Sequence, residues 1–215
     1  MSGPTSHDQN FKNLIIDYPQ QALEFFAAAE AVHRDNDARI TPIRQEQLKN
    51  RLGDRFHELD VPLLVEWPDG SREALLFILE EETNPARFSI HRLVQYCADL
   101  SEMFKTNRVV PVVIFLRAAK SVPETLVLGG NSFTYLRFSY LKCELASLDA
   151  DQYLRSSNLV ARLNLPNMQW SEDRKVDIYA RASTWTSSTS IQPWKIIKCT
   201  NTRRDTRRRT PKWSV

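Results

Sequence analysis

Three carboxylates, Asp60, Glu80 and Glu82, stand at the ends of two neighbouring apolar segments of this 215-residue chain. Carboxylates that converge on one side of a sheet repel one another, and a divalent cation or raised pKa values must relieve the repulsion. Hard oxygen ligands with few His or Cys neighbours favour Mg²⁺ or Mn²⁺ over zinc. Mg²⁺ bound there would activate a water molecule and stabilise charge on a phosphate under cleavage.

A β-hairpin is predicted to bring these carboxylates together. The segments LDVPLLVEW (59–67) and EALLFILEEE (73–82) flank Pro68-Asp69-Gly70, a cluster typical of turns. Both faces of each segment are largely apolar, so we expect layers to cover the hairpin on two sides, as in a mixed α/β (α+β) fold. Pro62 is disfavoured in a central strand and indicates an edge or a bulge at that position.

The register of the hairpin decides whether the carboxylates meet. With the turn centred on Gly70, Asp60 lies opposite Glu80, and Glu82 follows two residues later on the same face. A two-residue turn would put Asp60 opposite Leu79 instead, so the cluster requires an odd-length or bulged turn. The apolar pairs of this register are Val61 with Leu79, Leu63 with Phe77, and Val65 with Leu75. The alternative is that the acidic triplet simply ends a strand in solvent.

Other catalytic classes find little support in the sequence. The five glycines leave no room for a dinucleotide-binding or P-loop fingerprint, and no nucleophile elbow is present. The three cysteines are an odd number at wide spacing, which fits neither a disulfide framework nor a zinc site. Cys97 lies on the apolar face of a predicted helix, where we expect an inert buried thiol.

The remaining pattern alternates helices and strands. Residues 1–12 are predicted to be irregular, and a helix is predicted from Pro19 over QQALEFFAAAEAV. A second helix is predicted over about 88–105, with Arg92 and Asp99 outside its apolar stripe. The β-branched run 109–116 indicates a buried strand, so the preceding helix forms a crossover unit. Further predicted elements are a short helix after Pro42, a strand over 133–145 and a helix over DADQYLRSSNLVARL (149–163).

Charge divides the chain into a domain, 1–181, and a basic tail, 182–215. From Lys195 to Val215 the balance is +7, which leaves −4 for residues 1–194 out of the total of +3. Such a tail is expected to be a disordered, solvated end, although it could also pair with phosphates. The chain lacks a secretory signal pattern and any apolar run long enough for a membrane helix, so we expect a cytoplasmic protein with no membrane partner.

The order of these segments resembles the recombination-promoting nuclease/transposase family, a bacterial branch of the PD-(D/E)xK nuclease superfamily. The resemblance lies in the opening HDQNFKNLIIDYPQQALEFF, in the stretch from Glu58 to Leu116, and in NLVARLNLPNM (158–168). It covers roughly residues 6–181. It implies a DNA endonuclease with a restriction-endonuclease-like core, in which helices flank a central mixed sheet and acidic residues of a hairpin bind Mg²⁺.

The resemblance also assigns residues. On the family's pattern Asp60 matches the catalytic, metal-binding aspartate, and Glu80 matches the glutamate of the E-x-K or E-x-Q element. Asp8 and Lys12 match an HDxxFK signature of the family. The alternative is that Asp8 caps the start of a helix and Lys12 is merely a neighbour of that cap. Arg92 and Tyr96 lie in the helix after the catalytic strand and are candidates for accessory or DNA-contacting residues. The alternative for Arg92 is a solvent-facing helix residue, and the alternative for Tyr96 is a core aromatic.

Two departures from the family's pattern matter. Glu82 stands where the superfamily usually has lysine, and a carboxylate cannot supply positive charge, although it can bind a second metal ion or act as a base. Lys12 is a candidate substitute from the helix side. After Ala182 the sequence loses periodicity, which suggests a frameshifted or truncated reading frame. The alternatives to a working endonuclease are therefore a catalytically inactive DNA- or protein-binding descendant, or a degenerate fragment; a homo-oligomer is left open.

Overall fold

The computed structural model describes residues 7–31, 38–52, 61–80, 88–119 and 121–183, and within them only the backbone of residues 7–10, 31, 45, 47, 51, 52 and 76–80. The helices in these ranges are α1 (His7–Asp17), α2 (Pro19–Phe26), α3 (Ala28–Ala31), α4 (Gln45–Leu52), α5 (Ile90–Phe104), α6 (Leu159–Leu163) and α7 (Lys175–Ser183). The strands are β1 (Arg39–Pro42), β2 (Val61–Glu66), β3 (Arg72–Glu80), β4 (Val109–Phe115), β5 (Thr125–Gly129), β6 (Thr134–Ser139) and β7 (Leu141–Glu144).

A five-stranded mixed sheet in the order β1-β2-β3-β4-β7 forms the centre. The first three strands are antiparallel neighbours, whereas β3, β4 and β7 run parallel. Helix α5 connects β3 to β4, which confirms the predicted crossover. Strands β5 and β6, which come between β4 and β7 in the chain, form a separate two-stranded sheet. The mixed α+β class and the helix-flanked sheet are as predicted.

Both faces of the sheet are covered, as the two apolar faces of the hairpin predict. One face, carrying Leu63, Leu75 and Val112, packs with residues of α1, α2 and α6. The opposite face, carrying Ala74, Val113 and Phe115, packs with α5 and α4. We call these the α1 face and the α5 face.

Helix α5 shows how the sequence specifies an element. Ser89 caps its start by accepting a hydrogen bond from the Arg92 backbone N–H, at 3.3 Å, and Lys105 ends it in the left-handed conformation at φ 54°. Its buried residues follow helical spacing, as predicted. Asp99 is also buried, so its predicted place outside the apolar stripe is wrong. At 15 residues α5 is the longest helix described, and no described helix has the length and apolar composition that a bilayer crossing requires.

Pro62 lies within β2, an interior strand, so the predicted edge strand is wrong. Its carbonyl accepts a hydrogen bond from the Ile43 backbone N–H at 2.9 Å, just beyond the end of β1. A residue's N–H and C=O point to the same side of a strand, so the N–H that proline lacks would have faced the region where β1 has ended. The ladder between β2 and β3 is therefore unaffected by the proline.

The turn end of the hairpin is fastened to the start of β4. The carboxylate of Glu73 is 2% exposed and forms an ion pair with the Arg108 guanidinium at 2.8 Å. The same guanidinium lies over the Trp67 ring, 4.7 Å from its centre. Thr106 donates its hydroxyl to the Arg72 carbonyl at 2.6 Å. These contacts hold the loop before β4 against the hairpin.

Candidate active site

The hairpin turn has the odd length that the carboxylate cluster requires. Glu66 pairs with Arg72, which leaves the five-residue loop 67–71 between the strands. Within it the Gly70 N–H donates to the Trp67 carbonyl at 2.9 Å, and Gly70 adopts φ 83°, a conformation that glycine accepts at little cost. The Asp69 carboxylate accepts hydrogen bonds from the Ser71 hydroxyl and backbone N–H, which lower the pKa of Asp69. The turn is thus a specific, internally bonded loop.

The register differs from the predicted one by two residues. Val61 pairs with Phe77, not Leu79, and Leu63 pairs with Leu75, not Phe77. Val65 pairs with Glu73 rather than Leu75. The apolar alternation specifies only which face a residue occupies, whereas loop length specifies the partner, so a shift of two preserves both faces and changes every pair. The predicted direct pairing of Asp60 with Glu80 does not fit this register.

The carboxyl ends of the three parallel strands meet at one edge of the sheet. Glu80 at the end of β3 is in register with Phe115 of β4, and Phe115 is in register with Glu144 of β7. Position 80 follows Ala74 by an even number of residues, so strand alternation puts it on the α5 face. We call this row of strand ends the carboxyl edge. It places a carboxylate-bearing residue at the end of a central strand that has neighbours on both sides.

The other predicted acidic residues are outside the description. Asp60 and Glu82 lie outside the described residues, and only the backbone of Glu80 and of Asp8 is described. Their grouping around a metal ion therefore stays a prediction. Among the side chains that the structure does describe, no group of three or more His, Cys, Asp or Glu residues could hold a metal ion.

The accessory candidates divide between the two faces of the sheet. Asp8 and Lys12 belong to α1, which packs on the α1 face through Phe11 and Ile15. Because α1 begins at His7, the prediction that residues 1–12 are irregular is wrong from that residue onward. Lys12 is half-buried. Because position 80 is on the α5 face, α1 approaches the sheet from the side opposite to it. This arrangement disfavours Lys12 as a substitute for the missing lysine.

The remaining two candidates lie on α5, over the same face as position 80. Arg92 is exposed, whereas Tyr96 is buried among the apolar residues of α5 and β4. Arg92 thus has the solvent-facing position of the alternative interpretation. Tyr96 has the place of a core aromatic. Burial also raises the pKa of the Cys97 thiol to about 12, so this residue is the unreactive thiol predicted from its position.

A polar cluster at the carboxyl edge was missed by the sequence analysis. Lys142 forms ion pairs with Glu144, at 2.6 Å, and with Glu124, at 3.1 Å. The Glu144 carboxylate also accepts hydrogen bonds from the Ser147 hydroxyl and the Ala119 backbone N–H. The lysine hydrogen bond is the main cause of the lowered pKa of Glu144. Alternation of charged and apolar residues in 141–144 is the signal that could have indicated it.

The Lys142–Glu144 cluster holds the segment after β4 in place, and its charged groups are already paired with one another. Lys142 also donates to the Ala119 carbonyl at 3.3 Å, so both partners of the ion pair bind the segment that follows β4. Its ammonium is 5.9 Å from the centre of the Phe115 ring. Since two carboxylates already neutralise it, Lys142 is poorly suited to polarise a nucleophilic water.

Comparisons with models of protein families, with curated proteins and with solved structures find no match to this chain.

Proposed function

We propose that the chain is a metal-dependent DNA endonuclease with a restriction-endonuclease-like core, hydrolysing phosphodiester bonds during recombination or mobile-element activity. In this proposal Asp60 and Glu80 hold Mg²⁺ or Mn²⁺, and Glu82 completes the site. When bound, the ion supplies charge for the scissile phosphate and lowers the pKa of a coordinated water molecule. The motif resemblance suggests the activity, and the sheet supplies independent support.

The observation that carries the proposal is the position of Glu80. It ends β3, which lies between β2 and β4 in the sheet, beside the carboxyl ends of parallel strands. In sheets with parallel strands, ligands commonly bind outside the carboxyl ends. Glu80 is also the last residue of the β2–β3 hairpin, and the odd-length turn of this hairpin keeps even-numbered positions of both strands on one face. A mixed sheet with helices on both faces and a central hairpin is the architecture that the resemblance implies.

The observed register is compatible with two carboxylates sharing one ion. If the register continued one residue beyond Val61, position 60 would lie opposite Ile78, diagonal to Glu80. Diagonal neighbours in an antiparallel pair have Cα atoms about 7–8 Å apart. Two carboxylate side chains spanning that gap can both reach an ion at about 2.0–2.1 Å, the distance that Mg²⁺ requires. Direct opposition is therefore unnecessary for the proposed site.

The proposal assigns Glu82 the unusual role. Glu82 follows Glu80 by two residues in the sequence, at the position where the superfamily has lysine. Lys142 is bound by two carboxylates, and α1 carries Lys12 on the opposite face of the sheet. We therefore propose that Glu82 acts as a further metal ligand or as a general base, rather than being compensated by Lys12 or Lys142.

Nicking of supercoiled plasmid tests the proposal. The chain should nick DNA with Mg²⁺ or Mn²⁺ and not with EDTA, and Asp60→Ala and Glu80→Ala should each abolish the activity. Glu66→Ala is the matched control, because Glu66 is a β2 carboxylate at the turn end, ion-paired with Arg72 at 3.0 Å. Nicking that persists in Asp60→Ala would refute the assigned site.

One further variant separates the enzyme from an inactive descendant. A natural chain without activity, together with nicking by Glu82→Lys, would show that the metal site persists and the catalyst is lost. Inactivity of both, with cooperative unfolding and salt-sensitive DNA binding, would indicate a DNA-binding descendant. An uncooperative melt that a longer C-terminus repairs would indicate a fragment.

A further inference from the structure

The β5–β6 hairpin exposes aromatic side chains that a folded core would normally bury. Phe133 is 69% exposed and Tyr135 is 78% exposed. Arg137 follows at the same two-residue spacing and is also exposed. Alternate residues of a strand lie about 7 Å apart on one face. Tyr135 and Arg137 of β6, together with Phe133 directly before the strand, therefore present two exposed rings and a guanidinium close together in the chain.

The inner face of the same hairpin is fixed to the domain. Leu126 pairs with Phe138, and both pack against the cluster that covers the α5 face of the sheet. A register shift at Leu128/Gly129 gives β6 an extra residue near the tip. The close approach there requires glycine, because a Cβ on Gly129 would come within 2.6 Å of the Phe133 carbonyl oxygen. The hairpin is thus a supported platform with a defined outer face.

The charge of the hairpin suits a polyanion. Residues 125–139 contain Arg137 and no carboxylate, in a chain with 26 Asp and Glu residues. The acidic residue next to the hairpin, Glu124, is ion-paired with Lys142. Aromatic rings that stack on bases, beside a cation that contacts phosphate, form the typical surface for unpaired nucleic acid.

The base of the hairpin lies at the carboxyl edge. Tyr140, directly after β6, has its ring centre 5.4 Å from that of Phe88, which is 5.8 Å from that of Phe115. Phe115 is in register with Glu80. Tyr140 also donates its hydroxyl to the Pro123 carbonyl at 2.9 Å, which joins the two ends of the hairpin. From this base, the five residues of β5 span about 17 Å, or roughly five nucleotide steps of 3.4 Å.

We propose that the outer face of the β5–β6 hairpin binds unpaired bases of DNA, by stacking on Phe133 and Tyr135 and by an Arg137 contact to phosphate. This inference rests on the proposed function, which it deepens by naming the substrate class: DNA with a single-stranded segment beside the cleaved bond. The rings would hold that segment while the carboxyl edge meets the flanking backbone.

Binding of a fluorescein-labelled 12-nucleotide oligo-dT by the full chain, measured by anisotropy in EDTA, tests this inference without cleavage. Removing one ring should weaken binding roughly tenfold, so Phe133→Ala/Tyr135→Ala should weaken it by at least that factor. Phe133→Tyr/Tyr135→Phe retains both rings and should stay within twofold. Val176→Ala removes an equally exposed apolar side chain from α7 and should have no effect. Arg137→Gln should lower the salt slope of log K by about 0.7.

The outcomes separate this inference from the proposed function. Equal affinity of the double alanine variant and the natural chain would overturn it, as would tighter binding to a matched 12-bp duplex than to oligo-dT. If the double alanine variant lost self-association in sedimentation velocity and kept its affinity for oligo-dT, the inference would be overturned in favour of an interface between copies. Because oligo-dT binding is measured in EDTA and needs no cleavage, failure of the nicking assay leaves this measurement independent.

Discussion

Arg108→Met should destabilise the protein substantially without touching the proposed chemistry. The substitution keeps the length and apolar character of the stem and removes the charge that pairs with Glu73 at 2.8 Å. It also removes the cation that lies 4.7 Å from the centre of the Trp67 ring. The Glu73 carboxylate, which is 2% exposed, then loses the positive charge of Arg108 in an environment poorly screened by water.

The magnitude follows from the exposure of the two partners. Breaking a fully buried pair by removing one member costs about 3–5 kcal/mol. Arg108 is 54% exposed, so water already screens part of this interaction, and we reduce the figure to about 1–2 kcal/mol. The cation–π contact adds about 0.5–1 kcal/mol. The expected loss is therefore about 1.5–3 kcal/mol, against a typical total stability of about 5–15 kcal/mol.

Urea unfolding followed by tryptophan fluorescence and by far-ultraviolet circular dichroism measures this loss. Arg108→Lys keeps the charge and should recover a large part of it, whereas Glu73→Gln removes the buried charge and should cost less than Arg108→Met. A double-mutant cycle over Arg108→Met and Glu73→Gln should give a coupling of at least about 1 kcal/mol. A loss below about 0.5 kcal/mol for Arg108→Met, or additive effects in the cycle, would refute the reasoning.

The same variant also separates stability from activity. Glu73 and Glu80 are seven residues apart on β3, which is about 23 Å along the strand. Below its unfolding midpoint, Arg108→Met should therefore nick plasmid at the rate of the natural chain. A specific loss of nicking in the folded variant would place the site nearer the turn end than we propose.

Four further predictions concern other parts of the sheet and its connections. Gly70→Ala should cost about 1–2 kcal/mol in a thermal melt through φ 83° alone, because nothing lies within 4 Å of the added Cβ. Lys105→Gly should raise the melting temperature by relieving φ 54°, with a gain of up to about 1 kcal/mol. The lowered pKa of Glu144 implies stability that is present at neutral pH and lost as the pH falls below about 4.5, so urea midpoints of Glu144→Gln should depend less on pH there. Leu75→Ala, at a fully buried position of β3, should cost about 2–5 kcal/mol in urea unfolding.

The elements that the sequence predicts well are those whose own pattern is sufficient. Helix α5 and strand β4 lie within two residues of their predicted bounds, because a long apolar stripe and a β-branched run each indicate one conformation. The predicted helix after Pro19 is interrupted at Ala27, where φ is −131° and ψ is 43°. An alanine-rich run gives no local signal for such a break, which depends on packing.

The missed elements depend on partners far away in the chain. Strand β1, RITP, has four residues and a proline, and its identity as a strand comes from pairing with β2. The segment predicted as one strand over 133–145 is two strands in different sheets, β6 and β7, divided at Tyr140. The first half of α1 falls in the segment 1–12 that the sequence predicts to be irregular, and only three buried apolar residues mark the packed face of the helix: Phe11, Leu14 and Ile15.

The candidate site was predictable to a similar, partial extent. The two covered faces follow from the alternation of apolar residues, whereas the odd length of the turn is a condition that the sequence left open and the structure meets. The sequence could not specify the partner of each residue, because apolar pairs two positions apart satisfy the same pattern. The Lys142–Glu144 cluster binds Ala119 and Glu124 on the far side of the β5–β6 hairpin, a proximity that no local spacing reveals.

The two outermost strands of the central sheet bear on how copies of this chain can assemble. Both β1 and β7 have four residues; β1 ends in Pro42, and β7 carries Lys142 with its ion pairs. Short length, proline and charge are the features by which natural sheets prevent a second molecule from adding its own strand along the open hydrogen-bonding edge. Within the part of the chain that the structure describes, both edges of this sheet are therefore poorly suited to pair with a strand of a second molecule.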